Sequence, residues 1–318
     1  MVPTVLVTGA SGLLGRDVIK AFQRKEWKTI GTGLTRADPP SIVKLDLLDE
    51  DNIKRVLDET KPNVVVHCAA NRFPDSCSAD PDAATALNVS STRTLTKLAK
   101  QHNAFLIYIS TDYVFPGRKG EAPYKVTDTP SPPNIYGRTK LEGEEAVLSE
   151  SKNDESVTAV VLRVPLLYGH CEENDTSKSA VHALVDAIYE SQKSEEPIKI
   201  DDWALRFPTC TEDVGRVLVD ISELYSKPTQ GKKLPQILQF SAQQQFTKWQ
   251  MVKLLGEDVL GLPMHGLKSH DPSKEEAGDT QRPYDSRLDT SVLKELGVDV
   301  SCQDFLGWWR RDLRAFRH

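Results

Sequence analysis

A short β-branched run, Thr4-Val5-Leu6-Val7-Thr8, passes directly into Gly9-Ala10-Ser11-Gly12-Leu13-Leu14-Gly15 and then into a helical pattern from about Leu13 to Arg24. Five residues without a charge read as a strand buried on both faces, which a parallel sheet covered by helices on either side accommodates. Glycines at the strand–helix junction let backbone N–H groups and the helix N-terminus approach a pyrophosphate. The spacing is G-x-x-G-x-x-G, not G-x-G-x-x-G, and as a bare string it also fits an ordinary tight turn. Its place at the first strand–helix junction points to dinucleotide binding through Gly9, Gly12 and Gly15.

The following residues continue the alternation. Lys28 to Gly33 reads as a second strand, with Leu34-Thr35-Arg36 at its end. That end lies beside the adenosine ribose in such a fold, where a basic residue suits a 2′-phosphate. Arg36 therefore favours NADP over NAD, the alternative being a solvated loop arginine. Asp46-Leu47 precedes a helix over about Glu50 to Glu59, and Asp46 either accepts from an adenine amino group or starts the turn. Asn63 to Ala70 reads as a third buried strand, and its small end, Cys68-Ala69-Ala70, lets a flat ligand pass close to the backbone. His67, alone on that apolar run, reads as a core histidine with satisfied hydrogen bonds. A helix over Pro81 to Gln101, a strand over Ala104 to Ser110, a Pro/Gly-rich loop over 116–133, a helix opening at Asn134 and a strand over Val157 to Val164 complete the pattern. No antiparallel hairpin signal interrupts it. The expected class is α/β, a Rossmann-type doubly wound parallel sheet.

The candidate chemistry sits in Ser110-Thr111-Asp112-Tyr113-Val114-Phe115 and Tyr136-Gly137-Arg138-Thr139-Lys140. Tyr136 and Lys140, four apart on one helix, share a face. An ammonium there is expected to lower the phenol's pKa, so that the phenol passes a proton to or from a carbonyl that Thr111 orients.

After residue 170 the alternation stops. Helices over Ser179 to Ser191 and Glu212 to Tyr225, short strands at Pro197 to Ile200 and Ile237 to Phe240, and a charged loop over Lys268 to Pro283 suggest a smaller lobe. The expected division is a cofactor domain over 1–169, its sheet completed by a strand near 236–241, and a substrate or partner lobe over 170–318. The last helix, about Cys302 to Phe316, reads either as a core-facing apolar stripe or as a partner-binding tail.

A net charge of −6 offers no basic field for nucleic acid, and no apolar run approaches the length of a membrane span. With the first strand expected to start at Thr4, no leader is expected. Five scattered cysteines without a C-x-x-C argue against a zinc site and for reduced thiols. A cytoplasmic location, with the nucleus as a further compartment, is expected.

With eight tyrosines, a chance Y-x-x-x-K is common, so order and spacing over residues 4 to 169 carry the family signal. Gly9-x-x-Gly12-x-x-Gly15, Asp46-Leu47, His67-Cys68-Ala69-Ala70, Tyr136-x-x-x-Lys140 and Arg163-x-Pro165-x-x-Tyr168-Gly169 together resemble the extended short-chain dehydrogenase/reductase superfamily. Within it, the Ser110–Phe115 and Tyr136–Lys140 segments resemble the dTDP-4-dehydrorhamnose reductases. Arg72-x-Pro74-Asp75, Arg206-Phe207-Pro208-Thr209 and Gln281-Arg282-Pro283 bring the chain closer to the regulatory β subunits of methionine adenosyltransferase. The resemblance implies NADP contacts at Ser11, Gly12, Leu13, Leu14, Leu34, Thr35, Arg36, Asp46, Leu47, Cys68, Arg72, Tyr136, Lys140 and Leu167. Cys68 and Arg72 as contacts rest on it alone; by themselves they read as a buried thiol and a surface charge. It further implies a catalytic-subunit partner reached through the C-terminal tail, and regulation of S-adenosylmethionine synthesis. The tail ends Ala315-Phe316-Arg317-His318, where the family leads one to expect Val-Phe-His. Two alternatives stay open: an NADPH-dependent reductase of a nucleotide-linked keto sugar using Thr111, Tyr136 and Lys140, and a nucleotide-sugar epimerase or dehydratase.

Overall fold

The computed structural model describes residues 2–39, 41–152, 157–172, 179–227, 234–274 and 281–315. Its first half alternates as the pattern requires: β1 (Thr4–Thr8), α1 (Leu13–Arg24), β2 (Lys28–Gly33), β3 (Ile42–Lys44), α2 (Glu50–Thr60), β4 (Val64–His67), α3 (Pro74–Ala79), α4 (Pro81–Thr85), α5 (Ser91–Gln101), β5 (Phe105–Thr111), α6 (Ile135–Glu150) and β6 (Ala159–Val164). The second half contributes β7 (Leu167–Tyr168), α7 (His182–Ser191), β8 (Ile198–Asp201), β9 (Thr209–Cys210), α8 (Thr211–Tyr225), β10 (Ile237–Gln239), α9 (Lys248–Lys253), β11 (Leu267–His270), α10 (Ser291–Glu295) and α11 (Phe305–Asp312).

Seven parallel strands form the main sheet in the order β10-β6-β5-β4-β1-β2-β3, a Rossmann-type doubly wound arrangement. Strands β1, β4, β5 and β6 are buried throughout, which explains their largely apolar character. One face packs α1 and α8 against Val5, Val7, Ile107 and Leu162, while the other packs α2 and α5 against Leu6, Val65 and Leu106. The strand order reverses between β1 and β4. In open α/β sheets a ligand lies outside the carboxyl ends of the strands at such a point.

Residues after 170 are divided between two places. Helix α8 lies on α1, where the Thr211 hydroxyl donates to the buried Asp17 (2.5 Å), and β10 pairs with β6 at the sheet edge. A separate core gathers Tyr168, Val185, Ile200, Met251, Leu255, Phe305, Trp308 and Trp309 beside the two-stranded β11-β8 sheet. Phe305, Trp308 and Trp309 are at most 3% exposed, so α11 is an apolar stripe of that core. Phe316, Arg317 and His318 lie outside the described residues. The region from Lys268, read as a loop, begins with the last three residues of β11. The helix expected over Pro81 to Gln101 is interrupted by a π-helical turn at Ala86–Ser90, and this turn faces Asn88 toward α6.

His67 has both ring nitrogens engaged, by the Thr8 hydroxyl at 2.7 Å and the Thr92 hydroxyl at 3.1 Å. Burial, and then the nearby Lys140, lower its pKa from 6.5 to about 3. As pH falls from about 6.5 towards 3, the unfolded chain takes up the proton before the folded one, so this group's contribution to stability is lost across that window. In urea titrations between those limits, His67→Gln should flatten the acid limb relative to the unmodified protein. An unchanged pH slope would show that His67 does not govern it.

Candidate functional site

A cleft of about 460 Å³ opens at the switch point, lined by the turn after β1, the end of β4, the end of β5, the first turns of α6, and residues 164–167. Gly9 has φ of +65°, and a Cβ there would stand 3.0 Å from the Ala69 backbone. The β1 and β4 ends thus approach backbone to backbone, and only glycine permits both the conformation and the contact.

The cleft brings together Gly9, Gly12, Leu13, Leu14 and Gly15 with Cys68, Ala70 and Arg72, and with Thr111, Tyr136, Lys140 and Leu167. Ala69 sits beside them, its N–H donating to the Thr8 hydroxyl at 3.2 Å, while Ser11 is half-buried in the turn. Leu34, Thr35 and Arg36 form an exposed segment after β2, outside this cleft. Asp46 and Leu47 also lie outside it. The Asp46 carboxylate accepts from Leu48 N–H at 2.9 Å, and Leu47 packs into the core. As it stands, Asp46 therefore holds its turn. Both segments follow strand ends, of β2 and of β3, and neither lines the cleft.

Helix α6 starts at Asn134, whose side chain accepts from Gly137 N–H at 2.9 Å. This cap sets Tyr136 in the first turn and Lys140 one turn later. Lys140 is 3% exposed, donates to the Ile109 carbonyl at 2.7 Å, and places its ammonium 4.0 Å from the Tyr108 ring centre. Burial lowers its pKa from 10.5 to about 7, and the nearby Glu144 carboxylate opposes that shift. The Tyr136 phenol and the Thr111 hydroxyl line the same cleft. Burial raises the phenol's pKa, Thr111 opposes the rise, and Asp112, Tyr113 and Cys77 add to it. The expectation that Lys140 lowers it fails in this state, because the ammonium is turned to the Ile109 carbonyl and the Tyr108 face. A phenol held protonated is suited to donating a proton. Burial pushes the Cys68 thiol up to about 12, so it is no nucleophile at neutral pH.

Glu144 had no sequence signal, whereas Asp112 and Arg163 stood within segments already singled out. Glu144, 1% exposed on α6, receives the Ser110 hydroxyl at 2.5 Å and the Arg163 guanidinium at 2.9 and 2.6 Å. This buried pair ties β5, α6 and β6 together directly behind Thr111 and Lys140. Asp112, 5% exposed, receives hydroxyls from Thr111 at 3.1 Å and Ser286 at 2.5 Å, and burial raises its pKa to about 6. Arg206, Lys248 and Arg282 also line the cleft. They lie far apart in the chain without periodicity, and only Arg206 and Arg282 fall within segments that the family resemblance had marked.

The glycine turn, the small residues after β4 and the paired Tyr136 and Lys140 fit a nicotinamide dinucleotide. Among the described residues no cluster of three or more His, Cys, Asp or Glu side chains could hold a metal, and no helix is long and apolar enough to cross a membrane.

Comparison with known proteins agrees with this geometry. A family model described as the RmlD substrate binding domain matches residues 3–316. The methionine adenosyltransferase 2 subunit beta of Danio rerio is 41% identical over 314 residues, covering 99% of this chain and 91% of that one. A dTDP-4-dehydrorhamnose reductase of Aggregatibacter actinomycetemcomitans is 28% identical over 219 residues, covering 69% of this chain and 67% of its own. In three dimensions the dTDP-4-dehydrorhamnose reductase of Bacillus anthracis, solved in complex with NADP, superposes with a TM-score of 0.79 at 21% identity, covering 99% of both chains. At that identity the likeness speaks for the fold.

Proposed function

Since the chain belongs to the RmlD substrate binding domain family and, within it, to the methionine adenosyltransferase 2 beta subunits, we propose that it is an NADP-binding regulatory subunit of methionine adenosyltransferase that modulates S-adenosylmethionine synthesis. The observation that carries this reading is 41% identity sustained over 99% of the chain, the second lobe included.

In this reading the N–H groups of the turn Gly9–Gly15, with the start of α1, hold the pyrophosphate. Leu34, Thr35 and Arg36 take the adenosine ribose and its 2′-phosphate, Asp46 and Leu47 flank the adenine, and Cys68, Ala69, Ala70, Arg72 and Leu167 border the nicotinamide half. Tyr136 and Lys140 reach the nicotinamide ribose. A bound nicotinamide supplies a hydride donor or acceptor. Residues 1–169 carry these contacts, and 170–318 supply the partner-facing lobe together with α8 and β10, which return to the sheet. The partner is the catalytic subunit, met through the end of the tail, in the cytoplasm, with the nucleus as the alternative compartment.

The association test is a pull-down with methionine adenosyltransferase catalytic subunit, using the whole chain and a form lacking only residues 316–318. Truncation from 305 would remove Phe305, Trp308 and Trp309 from a core and confound the result. Capture by the whole chain is expected; its absence would sink the regulatory reading. Arg36→Ala should weaken NADP about tenfold and leave NAD nearly unchanged, read by calorimetry. Equal affinity of the unmodified protein for the two dinucleotides would overturn the role given to Arg36.

The convergence of Thr111, Tyr136 and Lys140 on one cleft favours a second reading, an NADPH-dependent reductase of a nucleotide-linked keto sugar. Tyr136 would protonate the carbonyl oxygen, Thr111 would orient it, and Lys140 would hold the cofactor ribose. NADPH oxidation with dTDP-4-dehydrorhamnose, abolished in Tyr136→Phe, would establish it; no turnover with any keto sugar would remove it.

A further inference from the structure

Lys140 lines the cleft without a counter-ion of its own. Its Nζ donates to the Ile109 carbonyl at 2.7 Å, lies 4.0 Å from the Tyr108 ring centre, and makes no ion pair among the described residues. An ammonium carries more donors than this one carbonyl satisfies.

The titratable groups that face it are either uncharged near neutral pH or already spent. At the end of β4, burial lowers the His67 pKa to about 3 and raises that of the Cys68 thiol to about 12. On α3, burial raises the Cys77 thiol to about 11, and on β5 it raises the Tyr108 phenol. Tyr136, one turn earlier on α6, is held protonated in the same way. Glu144, one turn later, has Oε1 taken by the Ser110 hydroxyl and Arg163 Nε, and Oε2 by Arg163 Nη2. Its charge is matched by the guanidinium and leaves Lys140 with little. A buried cation so placed is disfavoured, and burial lowers the Lys140 pKa to about 7. A neutral amine keeps the bond to the Ile109 carbonyl, so the hydrogen bonding does not require the charge.

We propose that Lys140 stands largely uncharged above neutral pH in the unliganded protein and takes up a proton when a dinucleotide enters the cleft, so that cofactor occupancy is set by pH. The inference rests on the NADP-binding reading and adds to it a mode of regulation. Phosphate charge and ribose hydroxyls, brought in beside Lys140, supply the counter-charge and acceptors that the protein withholds. The liganded state then binds more protons than the free one. Affinity therefore rises as pH falls towards about 7 and levels off below it, where Lys140 is charged with or without ligand.

The test is calorimetry of NADPH binding at about pH 8 in buffers of different ionisation enthalpy, which counts the protons exchanged. At that pH Asp112, with a pKa of about 6, is already ionised, and the ligand's 2′-phosphate, which titrates near 6, has lost its proton. Uptake of most of one proton is expected, with NADPH affinity weakening by up to about tenfold per pH unit above neutrality. Lys140→Arg, whose charge is permanent, and Lys140→Met, which has none, should both bind with no uptake. Lys248 also lines the cleft with its pKa lowered by burial, so Lys248→Gln is the control and should keep the uptake. The unmodified protein offers a check that needs no variant. The oxidised nicotinamide is a cation and opposes a second one beside it, so NADP+ should bring in less of a proton than NADPH. No net uptake with NADPH, uptake that survives in the Lys140 variants, or equal uptake with both dinucleotides overturns the proposal while leaving the cofactor reading intact. Failure of NADPH and NADP+ to bind at all removes both.

Discussion

Arg163→Met is expected to lower folding stability by about 3–5 kcal/mol, measured by urea denaturation at neutral pH. Arg163 is 1% exposed and supplies both Nε and Nη2 to Glu144, with Nη1 reaching the Gln239 side chain at 3.3 Å. Methionine fills much of the volume but leaves the Glu144 carboxylate inside the protein with only the Ser110 hydroxyl. The cost comes from that stranded charge more than from the lost attraction, because two ions removed from water roughly offset their own attraction. The double variant Glu144→Leu/Arg163→Met should therefore recover most of the loss, a coupling readable as a double-mutant cycle. If the single variant stays within about 0.5 kcal/mol of the unmodified protein, the pair is not holding β5, α6 and β6 together.

Gly15→Val should cost about 2–3 kcal/mol by overpacking and weaken dinucleotide binding by roughly a hundredfold. A Cβ at position 15 would stand 2.2 Å from the Gly9 carbonyl oxygen and 2.7 Å from Ala10 Cα. Both are backbone atoms of the turn itself, so relief requires opening the turn that faces the ligand. Gly33→Ala is the control, since a Cβ there meets its nearest atoms at 3.4 Å; it should shift stability by less than about 1 kcal/mol. Thermal unfolding and NADP calorimetry on both variants check the contrast. Equal behaviour of the two would show that crowding at position 15 is not what demands glycine.

The parts of the fold written in local pattern were legible. Strand β1, helix α1 and strand β2 have the bounds that hydrophobic runs and glycine punctuation imply, and the seven-stranded parallel sheet follows from strands alternating with helices. Strand β3, only Ile42–Lys44 and half-exposed at the sheet edge, carries too little pattern to be recognised. The two-residue strands β7 and β9 pair only because tertiary packing brings them together. The π-helical turn around Asn88 leaves the periodicity nearly intact. What it changes is direction, turning the Asn88 amide onto Thr139 and the Asn71 backbone.

The site divides in the same way. The glycine turn, Cys68-Ala69-Ala70, Thr111, Tyr136 and Lys140 each end or begin an element, so sequence position alone indicates where they point. Glu144 and Arg163 did not declare themselves, since a charged residue on a helix and another on a strand read as surface or motif until the fold buries both. The Lys140 ammonium is similar: its spacing from Tyr136 was readable, but its preference for the Ile109 carbonyl was not.

The crowded indoles of the second core have an optical consequence. Trp308 and Trp309 stand edge to face with ring centres 5.1 Å apart, Trp308 donating to Glu212 and Trp309 fully screened from water. Rings fixed in that geometry couple their electronic transitions, so the near-ultraviolet circular dichroism should carry a strong signature of this core. Trp203, on the wall of a second cavity of about 1110 Å³, is a separate emitter. Among the five tryptophans the chain thus holds two kinds of native reporter, the paired indoles sensing the integrity of the lobe and Trp203 the contents of the second cavity.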